Sequence, residues 1–405
     1  MAGWGEKPLG EVCAIKPPKA EARAKLTDDD EVSFVPMEDL GIGVKYLQPV
    51  RSRRLGEVSG SYTYFADGDV LLAKITPCFE NGKLGVARGL TNGVGFGSSE
   101  YIVFRPSPTL DAEFLYYYLA RPTFLEEGAR TMTGAVGHKR VTKEFVESYR
   151  IPLPPLPEQC RIVAILDEAF EGIATAKANS EKNLQNACVL FESHLQKVLF
   201  TKKGAGWIRT TLERATGGIF TGPFGSLLHK SDYVTGGIPL VNPAHITNAG
   251  IEPDSQKAVS EETAQRLSNY ILRKGDIVIG RRGEMGRCAL VTDVEDGWIC
   301  GTGSFFIKPS ECCDPGYLVR LLRSEACKQK LEKIAGGAVM PNLSNTGLGS
   351  LSIDLPPLER QKSNVGELEA MAAETQRLEY IYQQKLTVLD DLKRSLLHQA
   401  FSGHL

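Results

Sequence analysis

Apolar positions along this 405-residue chain follow two alternating regimes. Residues 158–200 and 358–401 contain no proline and only two glycines, Gly172 and Gly366, and their apolar residues recur at steps of three and four. In the first stretch the stripe runs through Ile162, Leu166, Ala169, Ile173 and Ala176. It resumes after a polar patch at Ala187, Phe191 and Val198. In the second it runs through Val365, Leu368, Ala372, Thr375, Leu378, Tyr382, Leu386, Leu389 and Leu396. This spacing predicts two long helices, each with a coiled-coil-like seam. At 1.5 Å per residue such a helix reaches roughly 64 Å. A rod of that length cannot bury its own stripe. The partner available within the chain is the other helix, lying antiparallel; the alternative is separate docking of each helix on its own globule.

Residues outside these stretches are rich in Gly, Pro, Thr and aromatics and read as mixed α/β with many short strands. Val70–Ile75 and Ile277–Gly280 each follow an acidic turn, Asp67-Gly68-Asp69 and Lys274-Gly275-Asp276. Tyr101–Phe104 and Ser304–Ile307 are further strands. Amphipathic helices follow at Phe114–Leu119 and Tyr317–Leu322, and then turns at Gly134-Ala135-Val136 and Gly337-Ala338-Val339. The same landmarks thus occur twice. Most plainly, Ile151-Pro152-Leu153-Pro154-Pro155-Leu156-Pro157-Glu158-Gln159 returns as Ile353-Asp354-Leu355-Pro356-Pro357-Leu358-Glu359-Arg360-Gln361, and Lys197-Val198-Leu199-Phe200 is echoed by His398-Gln399-Ala400-Phe401. Proline runs stop each helix from propagating backward. The predicted order is a globule (1–155), a helix (156–203), a second globule (204–355) and a second helix (356–405).

Charge changes the picture only by what it withholds. Lys plus Arg number 47 against 49 Asp plus Glu, and no segment departs from neutrality by more than one charge. A chain that grips nucleic acid alone usually carries a basic excess. Any such grip here needs positive charge gathered on one face, or help from partners. Nine irregularly spaced cysteines with a vicinal Cys312-Cys313 and no C-x-x-C fit reduced thiols rather than a disulfide framework or zinc site. No apolar run reaches the ~20 residues of a membrane span, and Met1-Ala2-Gly3-Trp4-Gly5-Glu6-Lys7 lacks a signal-peptide layout. A cytoplasmic protein is expected. Catalytic motifs are wanting: there is no G-x-x-x-x-G-K-[ST] loop and no histidine pair at metal spacing. Asn242-Pro243-Ala244-His245 only faintly echoes a base-holding Asn-Pro-Pro-Tyr motif.

The proline-led phrase, the long helix and the closing Gln399-Ala400-Phe401-Ser402-Gly403-His404-Leu405 resemble the specificity subunit of type I restriction–modification enzymes. So do Gly68-Asp69-Val70-Leu71-Leu72-Ala73-Lys74-Ile75-Thr76-Pro77, Gly137-His138-Lys139-Arg140-Val141 and Gly337-Ala338-Val339-Met340-Pro341-Asn342-Leu343. The resemblance spans nearly the whole chain. It implies two similar globular DNA target recognition domains joined and separated by two long antiparallel coiled-coil helices, a tandem duplication with pseudo-two-fold symmetry. In that family each recognition domain reads half of a bipartite, asymmetric site on double-stranded DNA. The helices set the gap and dock two adenine-N6 methyltransferase subunits, and a motor–nuclease subunit can join. By the same implication the chain is not itself an enzyme and binds no cofactor. S-adenosylmethionine belongs to the methyltransferase partner, and ATP and Mg to any motor–nuclease partner.

Base readout needs Arg or Lys for guanine and Asn or Gln for adenine, while Lys, Arg and backbone amides position phosphates. The candidates in the first globule are Lys74, Thr76, Asn81 and Lys83, with His138, Lys139 and Arg140. In the second they are Arg281, Arg282, Glu284, Arg287, Asn342 and Asn345. Glu284 either accepts from a cytosine amine or pairs with Arg282. Arg51, Arg53 and Arg54 read as solvated charge, and Phe220 and Phe224 either wedge into DNA or pack under a loop. For the helix seam and partner docking the candidates are Ile162, Leu166, Ile173, Phe191, Val198, Leu368, Leu378, Tyr382, Leu389 and Leu396. A double-headed coiled-coil scaffold that binds proteins instead of DNA is the competing reading.

Overall fold

The structure is a computed structural model describing residues 4–49, 51–135, 137–201, 205–335 and 342–405. The turn expected at Gly337-Ala338-Val339, with Met340 and Pro341, lies outside the described residues, as do Val136 and Met1-Ala2-Gly3. The two long helices span Leu156–Phe200 and Leu358–Phe401. The first begins ahead of the proline-free stretch and takes in Pro157. Proline is tolerated in the first turn, where its missing N–H has no helical partner to lose.

Two compact units emerge, each built on one globule and part of each helix: residues 1–182 with 382–405, and residues 183–381. The first contains two four-stranded sheets and a two-stranded pair. One sheet runs in the order Cys13–Ile15, Tyr101–Pro106, Val70–Ala73, Leu84–Val86, all antiparallel. The other runs Arg51–Arg54, Glu31–Val35, Val94–Gly97, Thr63–Ala66, with its middle pair parallel. The second unit repeats the first sheet as Thr216–Thr221, Ser304–Pro309, Ile277–Gly280, Cys288–Leu290. Its other sheet keeps the parallel pair, Ile238–Val241 with Ile299–Cys300, but takes its fourth strand, Tyr233–Val234, on the opposite edge. The place of Thr63–Ala66 shrinks there to a single bridge, Ile271 to Ile299.

The acidic turns form as expected. Gly68 (φ +88°) and Gly275 (φ +93°) adopt the left-handed conformation open to glycine, and each donates its N–H across to the neighbouring strand, to Ala87 and Val291. Asp69 and Asp276 close the turns by accepting from the backbone N–H of Ala66 and Arg273 at 2.8 and 2.9 Å.

In both units the two helix stretches run antiparallel. Arg161 bonds the Leu405 carbonyl and Lys177 pairs with Asp390 at 2.7 Å in the first unit. Cys188 meets Glu379 and Asn364 donates to the Val198 carbonyl in the second. The seam divides along its length. Ile162 and Leu166 join the first globule's core, together with Leu397, Ala400 and Phe401. Leu199 and Leu368 join the second globule's core, with Val198 packed against it. Ile173 is buried between these ends, while Phe191, Leu378, Tyr382, Leu389 and Leu396 are half-buried. Pairing and docking therefore both occur, at different points on the same stripes.

The repeated Gln is the joint. Gln159 accepts from the Asp111 N–H and donates to the Thr109 and Pro154 carbonyls. Gln361 does the same with Asp314, Cys312 and Pro356. Both are fully buried. Asp111 and Asp314 then cap the helices that pack beside the joint, Ala112–Leu119 and Pro315–Arg323.

Candidate nucleic-acid interface

In the first unit, residues 139–141 lie along the chain that continues from strand Val70–Ala73. Val141 donates to the Lys74 carbonyl and the Thr76 N–H to that of Lys139. Arg140 bridges Ile75 on one side and Thr133 on the other. Lys74, Thr76, Lys139 and Arg140 are thereby drawn together from distant parts of the chain, with His138 and Lys139 exposed. Arg140 grips Glu100 through two bonds of 2.9 and 2.8 Å, and the guanidinium holds that carboxyl below its usual range. Lys74 reaches the Ser99 carbonyl at 2.9 Å, and Thr76 donates to Glu80. Lys83 is directed elsewhere, its ammonium bound to the Met37 carbonyl at 2.7 Å. Asn81 stays exposed in a turn closed on Pro77.

The second unit reuses this backbone frame. Leu343 donates to the Arg281 carbonyl, and Arg282 bridges Asn342. Arg281 stands where Lys74 stands in the first unit, its guanidinium 5.0 Å from the centre of the Phe305 ring. Arg282 and Asn342 are adjacent and exposed. Glu284 pairs not with Arg282 but with Arg287 (3.2 Å) and Lys328 (2.9 Å), which hold its carboxyl below the usual range. Its lone pairs are engaged because Lys328 comes from a helix that the sequence spacing did not link to it. Asn345 gives its amide to the Ile219 carbonyl at 2.8 Å. Phe220 stacks on Phe306 with ring centres 5.0 Å apart, whereas Phe224 is exposed.

Residues not singled out from the sequence also gather here. A cleft of about 450 Å³ beside Lys74 is lined by Lys16, Lys19 and Lys143 as well, with Tyr62 and Tyr64. The run Lys16-Pro17-Pro18-Lys19 is the signal that was available. The expected solvated charges behave otherwise in part: Arg51 pairs with Glu38 and Asp39, and Arg53 lies over the Phe34 ring.

Asn242-Pro243-Ala244-His245 is a turn. Buried His245 Nδ1 faces both the Asn242 N–H and the Leu240 carbonyl. Burial pushes the thiols of Cys13, Cys288 and Cys313 up to about 12, away from nucleophilic character. Among the described residues no group of His, Cys, Asp and Glu is placed to hold a metal ion, and no helix is long and apolar enough to cross a membrane.

A family profile described as the type I restriction modification DNA specificity domain matches residues 1–186 and 218–387. The specificity subunit of the type I restriction enzyme EcoEI from Escherichia coli is 43% identical over 163 residues. That match covers 40% of this chain and 27% of that protein, so the chain spans well under two thirds of that relative's length. Among solved structures, the HsdS subunit from Thermoanaerobacter tengcongensis aligns with a TM-score of 0.71 at 20% identity, covering 100% of this chain and 98% of that one. A chain from a study of complex assembly and conformational transition of the type I R-M system aligns at 0.78 and 19%, covering 100% and 99%. At such identities these two speak for the fold. The twice-matched profile places the chain in the family of type I restriction–modification DNA specificity proteins.

Proposed function

We propose that this chain is the sequence-specific DNA-recognition subunit of a type I restriction–modification complex. Each globule reads one half of a bipartite, asymmetric site. The paired helices set the gap between the half-sites and dock two adenine-N6 methyltransferase subunits. Methyl transfer, with S-adenosylmethionine, belongs to those partners; any cleavage, with ATP and Mg, belongs to a motor–nuclease subunit. The chain itself contributes recognition in the cytoplasm and no catalytic group.

One observation carries this reading. A single backbone frame, Lys74 with Val141 and Arg281 with Leu343, presents different side chains in its two copies. Repeating the frame suits two half-sites. Carrying Lys139 and Arg140 in one copy and Arg282 and Asn342 in the other suits two different sequences, since each type pairs with its own base edges. The test is genome-wide mapping of N6-methyladenine in a methylation-free host carrying this gene with a partner methyltransferase gene, and each alone. The expected result is a split motif with a fixed gap, methylated only when both are present. Methylation by the partner alone, unchanged by this chain, overturns the proposal.

A further inference from the structure

The cleft beside Lys74 differs from the rest of this near-neutral chain. Lys16, Lys19, Lys74 and Lys143 line it with tyrosine, serine and threonine hydroxyls, and among the described residues none that lines it is acidic. Carboxylates reach two of these lysines without lining the cleft: Glu147 meets Lys143 at 3.3 Å and Glu100 is 3.9 Å from Lys74. Lys16 holds the left-handed conformation at φ +61°, uncommon for a residue with a side chain and more often kept where function requires it. Lys19 donates to the Ser59 and Gly60 carbonyls, at 3.1 and 2.7 Å. Burial first, and then repulsion from Lys16 and Arg23, lowers its pKa.

What lines the cleft also shows which part of a nucleic acid it suits. It contains no Arg, Asn or Gln, the side chains whose planar forks pair with base edges. Lysine can reach guanine as well, but it is a compact point charge without a planar fork, and four of them with no guanidinium or amide beside them in the lining favour the phosphate backbone. In the second unit the position of Lys16 is taken by Phe220. Ile15 pairs with Phe104 as Ile219 pairs with Ile307, and the next residues are Lys16 and Phe220.

We propose that the cleft of the first globule is a seat for the phosphate backbone of duplex DNA, with Lys16, Lys19 and Lys143 acting beside Lys74, so that the first domain grips without reading at this point. This rests on the proposed role in DNA recognition. It makes the two domains unequal: one has a lysine seat where the other offers an aromatic ring.

The test uses the full chain assembled with its methyltransferase subunits, and two labelled duplexes, one with the methylated motif and one scrambled. Lys16→Ala with Lys143→Ala is expected to weaken both duplexes alike, by roughly tenfold at moderate salt, and to lower the slope of log affinity against log salt by about two. Lys16→Arg with Lys143→Arg keeps the charge and is expected to keep the binding. Unchanged affinity and slope, a loss confined to the motif duplex, or an equal loss in the arginine pair each overturn the seat. A wild-type complex that prefers no split motif overturns the recognition role instead, and the scrambled duplex still reports on the cleft.

Discussion

The two units join their globules to the helices by the same backbone device and by different charges. Gln159 and Gln361 make matching sets of three hydrogen bonds. Around them the ionic contacts diverge. In the first unit Lys45 bridges Glu113 and Asp167 at 2.5 and 2.6 Å, and Tyr46 and Tyr117 bond the same two carboxylates. In the second, among the described residues, a single pair stands in the matching place, Arg320 with Glu369 at 3.0 Å. Asp69 is clasped by Arg105 through bonds of 2.7 and 2.8 Å, yet burial outweighs that pull and its pKa is raised. Among the described residues Asp276 has no such clasp; burial raises its pKa against the bond from the Arg273 amide and the more distant charges of Lys308 and Arg273. Backbone-directed bonds depend on the fold, so duplication copies them together. Ion pairs between side chains contribute little unless well buried, so each copy can lose or rebuild them.

That contrast breaks most sharply at the closing phrases of the helices. Phe401 is buried against Phe114 and Tyr118, each ring 5.0 Å away, while Phe200 is 37% exposed. Phe401→Ala is expected to cost about 3 kcal/mol of local stability, and Phe200→Ala less than about 0.5 kcal/mol. Hydrogen exchange on the full chain, read separately over 112–119 and 315–323, checks both. Equal losses would mean that the second unit relies on Phe200 as the first does on Phe401. The joint itself should behave in the opposite way. Gln159→Ala and Gln361→Ala each leave buried backbone groups without partners, so each should cost about 2–3 kcal/mol in its own unit. A large loss in one and none in the other would show that only one joint is structural.

Much of this organisation was legible because it rests on period and punctuation. The long helices follow from apolar steps of three and four and from the absence of proline. The acidic turns follow from glycine between polar residues, and the strands after them from runs such as Val70-Leu71-Leu72. The exchange of the fourth strand between sheet edges was not legible, because two-residue strands such as Tyr233–Val234 leave no period to read. The grouping of Lys74 with Lys139 and Arg140 is half legible: both segments carry cationic candidates, but their pairing is a backbone contact across more than 60 positions. For Glu284 the sequence offers a cytosine amine or Arg282 as partner, whereas the fold supplies Arg287 from the same turn and Lys328 from a helix packed from afar. In the sequence Lys16 and Lys19 look like ordinary surface charges. Only the fold sets them beside Lys74 and Lys143.

The smallest predicted difference lies within the duplicated frame itself. Arg140 is tethered to Glu100, whereas in the second unit the place of Arg140 is taken by Asn342, which bridges Arg282, and the place of Glu100 by Gly303, which accepts from the Arg281 N–H and has no carboxylate. The Glu100 carboxyl titrates below its ordinary value, chiefly through its bonds to Arg140. The stabilisation from the pair is therefore fully present above the unfolded carboxyl's pKa of about 4.3 and is lost as pH falls through the lower folded value. Protection of the Val141 amide, which reports closure of this frame, should hold from neutral pH down to the carboxylate range and drop below it. Protection of the Leu343 amide should show no such step. Glu100→Gln should abolish the pH step at Val141 and slightly lower its protection at neutral pH, because a neutral amide holds the guanidinium less firmly than a carboxylate does. An equal acid-dependent step at Leu343 would mean that the step arises outside the Glu100–Arg140 pair, and the contrast between the two frames would then lie in their readout residues alone.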